Sequence, residues 1–119
     1  MKHIAVVEDD SSASQQIQNY LSLYQKGNEQ EFSVTVFADG LSILEDYHPT
    51  WDIILMDIEM PLMDGMTAAK RIRELDQSVI IIFITNMAKY AIKGYEVGAL
   101  DFVLKPVSYF AFSLKITKA

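Results

Sequence analysis

Carboxylates, a hydroxyl and an ammonium recur in this 119-residue chain, each directly after a short apolar run. Glu8, Asp9 and Asp10 follow Ile4-Ala5-Val6-Val7, and Asp57 and Glu59 follow Ile53-Ile54-Leu55-Met56. Thr85 and Asn86 follow the run Val79 to Ile84, and Lys105 with Pro106 follows Phe102-Val103-Leu104. Any one of these residues taken alone reads as a helix cap or a solvated loop charge, since Asp and Thr are common caps. Their shared placement points instead to one site. Carboxylates crowded together raise each other's pKa unless a cation compensates. Oxygen ligands without Cys or His suit a hard ion such as Mg²⁺, which keeps several waters and accepts phosphoryl oxygens. A carboxylate beside such an ion can attack phosphorus and become an aspartyl phosphate, with Lys105 and the Thr85 hydroxyl holding the transferred oxygens. Phosphoryl transfer to a side chain is the chemistry that uses all of these groups.

The elements that must gather them follow from the apolar patterning. The four runs, and a fifth at Val34-Thr35-Val36-Phe37, are rich in β-branched residues and lack period-2 alternation. That predicts five strands covered on both faces, as in parallel α/β sheets. Between them, Ala13, Ile17, Leu21 and Tyr24 mark a first helix, opened by a capping box of Ser12 and Gln15 and ending near Gly27. Residues 27–31 read as a polar loop. A short second helix follows Asp39-Gly40 through Leu41 and Leu44 and stops before Pro49. Met66, Ala69 and Ile72 give a third helical face, and Ala88, Ala91, Ile92 and Tyr95 a fourth. On the last helix, after Pro106, Phe110 and Leu114 are expected to face the sheet, with Tyr109, Phe112 and Ile116 on a second apolar side. The order is (βα) five times. Right-handed crossovers make a flavodoxin-like, doubly wound three-layer sandwich the economical topology, and sites in such sheets form beyond the carboxyl ends of the strands.

Composition narrows the function. One domain's length and a hydrophobic content of 50% predict a single self-sufficient core. Ten Lys and Arg against 16 Asp and Glu give a net charge of -6, which disfavours unaided binding to a polyanion, so contact with DNA requires another domain. Without cysteine there is no disulfide framework, thiolate nucleophile or Cys zinc site. Neither a membrane-length apolar run nor a signal-peptide pattern is present, which predicts a cytoplasmic protein. His3 and His48 lack metal-ligand spacing, and Met56, Met60, Met63, Met66 and Met87 read as gap-fillers near the site.

The motifs taken together resemble the receiver domain of two-component response regulators. The matching pieces are Val6-Val7-Glu8-Asp9-Asp10, Met56-Asp57-Ile58-Glu59-Met60-Pro61 continuing to Asp64-Gly65, Ile84-Thr85, and Ala99-Leu100-Asp101-Phe102 leading to Lys105-Pro106. The resemblance covers the whole chain. It implies that Asp57 is the phosphoacceptor for a sensor histidine kinase and that Asp9, Asp57 and the backbone carbonyl of Glu59 hold Mg²⁺, with Glu8 contacting a metal-bound water. It also implies that Thr85 and Phe102 form a switch pair, that Lys105 contacts the phosphate, and that the Lys105-Pro106 bond is cis. Residues 85–91 and 94–99 further resemble receivers joined to LytTR-type DNA-binding output domains. Two departures are visible: Glu8 stands where many members have Asp, and Asn86 is bulkier than the Ala or Gly often found there, which is expected to slow phosphoryl entry and loss.

Three other functions are weighed against this one. A haloacid dehalogenase-type enzyme also uses an Asp nucleophile with Mg²⁺, but needs an Asp where Glu59 stands. A flavodoxin-like nucleotide binder needs a phosphate loop where Glu8-Asp9-Asp10 would repel one. A receiver working without phosphorylation leaves the complete acceptor set unexplained. The surface of the fourth helix, fifth strand and last helix is expected to serve output, with a homodimer as its use. Leu114 to Ala119 closes inside a helical pattern without linker chemistry, which predicts an output domain beyond residue 119.

Overall fold

The computed structural model describes residues 1–86, 96–99 and 101–119. The five predicted strands form as β1 (Lys2–Val7), β2 (Phe32–Phe37), β3 (Ile53–Met56), β4 (Ile80–Thr85) and β5 (Asp101–Leu104). All pair in parallel in one sheet of order β2-β1-β3-β4-β5, the flavodoxin-like arrangement. The helices are α1 (Ser11–Asn28), α2 (Gly40–Leu44), α3 (Gly65–Leu75) and α4 (Tyr109–Lys118), the last of which is the final predicted helix. The fourth predicted helical pattern, Ala88 to Tyr95, lies outside the described residues.

Alternate residues of each strand feed two separate cores, which is why the runs are apolar throughout. Ile4, Val6, Leu55, Ile82 and Val103 pack with Ile17, Leu21 and Tyr24 of α1 and Phe112 and Ile116 of α4. Ala5, Val7, Ile54, Met56 and Phe83 pack with Ile43 of α2 and Met66, Ala69 and Ile72 of α3. Met56 and Met66 are buried and Met60 and Met63 partly so, which bears out gap-filling for those four.

Three local expectations are corrected. The cap of α1 is Asp10, whose carboxylate accepts from the Ala13 N–H at 3.0 Å, while Gln15 bonds Asn19 instead of closing a box with Ser12. The polar 27–31 stretch is helical through Asn28, because Glu29 adopts a left-handed φ of 51° and ends the helix there. On α4 the two faces are exchanged: Phe112 and Ile116 are buried, whereas Phe110 is 72% and Leu114 55% exposed. Tyr20 and Tyr24 explain the choice. Tyr20 packs its ring 5.5 Å from Phe112 and donates to the Val107 carbonyl, and Tyr24 bonds Thr117, which fixes the rotation of α4 about its axis.

Candidate functional site

Sheet order reverses at β1, so the crevice beyond β1 and β3 is where such a fold places a site. The ladder runs one residue past the strands. The Glu8 N–H donates to the Phe37 carbonyl at 3.0 Å, the Asp57 N–H to Val7 at 3.0 Å, and the Lys105 N–H to Thr85 at 2.8 Å. Glu8, Asp57, Thr85 and Lys105 are therefore held to one rim by backbone bonds rather than on free loops.

Lys105 is the hub. Its Nζ donates to Glu8 Oε1 at 2.7 Å and to Asp57 Oδ2 at 3.2 Å, while Asp57 Oδ1 accepts from the Ile58 N–H at 2.7 Å. Glu8 is 3% exposed, and its Oε2 is buried with no hydrogen-bond partner among the described residues. Burial and the adjacent Asp57 push the Glu8 carboxyl up to about 7, with Lys105 partly opposing. Burial pulls the Lys105 ammonium down, but the two carboxylates outweigh it and hold its pKa above the ordinary value.

Asp9 is exposed on the same rim, and one oxygen each from Glu8, Asp9 and Asp57 lies within 4.8 Å of the others. Asp10 is not part of this group; it is spent on the helix cap. Three carboxylates against one ammonium, with a buried unpartnered oxygen among them, make a donor set that fits a hard divalent cation. Glu59 is exposed on the loop between Asp57 and α3.

That loop is tightly constrained. The Gly65 N–H donates to the Ile58 carbonyl at 2.7 Å, and a Cβ on Gly65 would overlap the Asp57 carbonyl oxygen and lie 2.9 Å from Ile58 Cα. Only glycine lets α3 start this close to the Asp57 backbone. Leu62, at a left-handed φ of 69° with the Met63 N–H closing onto Pro61, is 80% exposed, a conformation nothing in the sequence announces.

Register places the expected switch pair. Phe83 pairs with Phe102 and Thr85 with Leu104, so Thr85 and Phe102 project from the same face as diagonal neighbours. Thr85 is fully buried and Phe102 half-buried. The Lys105-Pro106 bond is cis, as expected.

The response regulator receiver domain family matches residues 4–115. The transcriptional regulatory protein YpdB of Escherichia coli K12 is 35% identical over 104 residues, covering 87% of this chain and 41% of the relative. The chain thus spans about two fifths of that relative's length. The response regulatory domain of protein MrkE from Klebsiella pneumoniae superposes with a TM-score of 0.86 at 27% identity, covering 98% of this chain and 93% of that one. The receiver domain of sensor histidine kinase PA1611 from Pseudomonas aeruginosa PAO1, solved with a magnesium ion coordinated in its active-site cleft, gives 0.80 at 25% identity, covering 98% and 95%.

Proposed function

Since the chain belongs to the response regulator receiver domain family, we propose that it is a phosphoacceptor that takes a phosphoryl group from a sensor histidine kinase onto Asp57. The observation that carries this reading is the Asp57 carboxylate itself. One oxygen is fixed by the Ile58 amide, the other faces the Lys105 ammonium, and two further acids stand beside it.

In the transfer, a carboxylate oxygen of Asp57 attacks phosphorus, and the P–N bond to the donor histidine breaks with its electron pair returning to the imidazole nitrogen. Lys105 supplies a fixed positive charge for the phosphoryl oxygens, and the Thr85 hydroxyl a hydrogen bond. Asp9, Asp57 and the Glu59 carbonyl would hold Mg²⁺, with Glu8 reaching it through water; bound there, the ion would supply positive charge against the transferred group. The MrkE and PA1611 domains support the fold of this site, and the magnesium in the latter supports the ion.

The phosphoryl group then draws Thr85 toward it, Phe102 turns inward, and the surface formed by β5 and α4 changes shape to favour a second copy of this chain. In that homodimer the apolar contact falls on Phe110 and Leu114. Output is DNA-binding transcription regulation by a domain beyond residue 119, of LytTR type, in the cytoplasm. The relatives' regulator names and greater length support this; no described helix is long and apolar enough to cross a membrane.

The test is stoichiometric. Incubated with acetyl phosphate and Mg²⁺, the protein should acquire one hydroxylamine-labile phosphoryl group, the signature of an acyl phosphate. Rapid multiple-turnover release of inorganic phosphate without such an intermediate would favour a hydrolase instead.

A further inference from the structure

Arg73, in the last turn of α3, spends its guanidinium on backbone. Nε donates to the Val97 carbonyl at 2.7 Å and Nη2 to Gly98 at 3.0 Å, while Nη1 donates to Val79 at 2.6 Å and to Asp76 at 3.3 Å. Val97 and Gly98 form the turn just ahead of β5. Gly98 takes a left-handed φ of 66° there and lies against the Arg73 side chain. One side chain thus ties the end of α3 and the start of β4 to the approach to β5, through charge-assisted bonds in a planar fork that lysine cannot reproduce.

The position of this clamp gives it more than a structural meaning. Among the described residues β5 is a four-residue edge strand laddered only to β4, so its axial placement depends on what holds its two ends. At one end stands Lys105, bonded to Glu8 and Asp57. At the other is the turn held by Arg73. The same helix begins at Gly65, pressed against the Asp57 carbonyl. Asp57, α3, Arg73, β5 and Lys105 therefore form a closed mechanical circuit, with Phe102 between the two held ends of its edge strand.

We propose that Arg73 is a positioning residue for the response to phosphorylation. By pinning the Val97–Gly98 turn to α3 it makes the start of β5 a fixed end, so that a phosphoryl group drawing on Lys105 turns Phe102 instead of sliding the strand. This rests on Asp57 being the phosphoacceptor.

The test uses the full chain with acetyl phosphate and Mg²⁺, following phosphoryl uptake by intact mass and the Phe102 amide by ¹⁵N NMR. Arg73→Gln, Arg73→Lys and Tyr47→Phe are compared; the last removes only the hydroxyl that donates to Asp76 at 2.8 Å and leaves the Val97–Gly98 turn alone. All three should take up the phosphoryl group to the wild-type extent. In Arg73→Gln the phosphorylation-linked Phe102 shift should fall to about half or less, as expected when one of two coupled anchors is lost. Arg73→Lys should show a smaller loss, and Tyr47→Phe none. A wild-type shift in Arg73→Gln, or an equal loss in Tyr47→Phe, overturns the proposal, because the clamp would then act only on stability. If Arg73→Gln does not fold, Arg73→Lys decides by whether its shift falls at all. A wild-type protein that takes up no phosphoryl group would instead bring down the Asp57 reading, and this proposal with it.

Discussion

The Lys105 ammonium lies 2.7 Å from Glu8 and 3.2 Å from Asp57, so its shorter bond goes to Glu8, the more deeply buried of two buried acids. Glu8 thereby parks the cation beside Asp57 without neutralising it fully, and a phosphoryl group with three oxygens can outcompete one carboxylate for the ammonium.

The first prediction follows from that pairing. Lys105→Ala leaves Glu8 and Asp57 side by side in a buried site without their cation. Lys105 is a quarter exposed and Glu8 can take up a proton, so the loss should be about 1 to 2 kcal/mol, below the 3 to 5 of a fully buried pair. Urea unfolding at neutral pH without divalent ions measures it. The variant should still accept some phosphoryl groups at Asp57, but the Phe102 amide should stay at its unphosphorylated position. Wild-type stability together with a wild-type Phe102 response would remove Lys105 from the switch.

Asp101 gives a pH prediction. Burial raises its carboxyl, but hydrogen bonds from Lys115 at 2.8 Å, the Phe102 amide and Lys118 outweigh that and hold it below the ordinary range. A carboxyl with a depressed folded pKa contributes stability that is fully present above its unfolded value, near 3.8, and is lost as pH falls through the folded value. Asp101→Asn should therefore be destabilised at pH 7, by about 1 kcal/mol because Lys118 is largely exposed. The gap should close toward pH 2. A difference from wild type that stays constant across this range in thermal melts would show that the ion pairs are not its source.

The exchanged faces of α4 separate two phenylalanines that look alike in sequence. Phe112 is 1% exposed, so Phe112→Lys buries an unpaired ammonium and should cost about 4 kcal/mol or more. Phe110→Lys should leave folding within about 0.5 kcal/mol of wild type, and should abolish any mass increase that phosphorylation causes in sedimentation. A phosphorylated Phe110→Lys protein that dimerises like wild type would move the interface elsewhere.

The strands and the rim were legible because apolar runs with no alternation, each followed by a polar reactive residue, encode both burial and site. Asp10 shows where that logic stops. It has the same type and neighbourhood as Asp9, and only the three-residue reach to the Ala13 amide turns it into a cap. The two faces of α4 were unreadable for a related reason. Both carry aromatics at helical spacing, and the choice between them is made by Tyr20 and Tyr24, far away in sequence. Arg73 gives no signal, since a basic residue in the last turn of a helix is ordinary and its partners are backbone carbonyls.

The most direct measurement of the central claim is intact mass after incubation with acetyl phosphate, with and without Mg²⁺, for the wild type, Asp57→Asn and Asp9→Ala. The account predicts one added phosphoryl group in the wild type with Mg²⁺ only, none in Asp57→Asn, and none in Asp9→Ala at Mg²⁺ levels that saturate the wild type. Undiminished phosphorylation of Asp57→Asn, or of the wild type with the metal chelated, would contradict it.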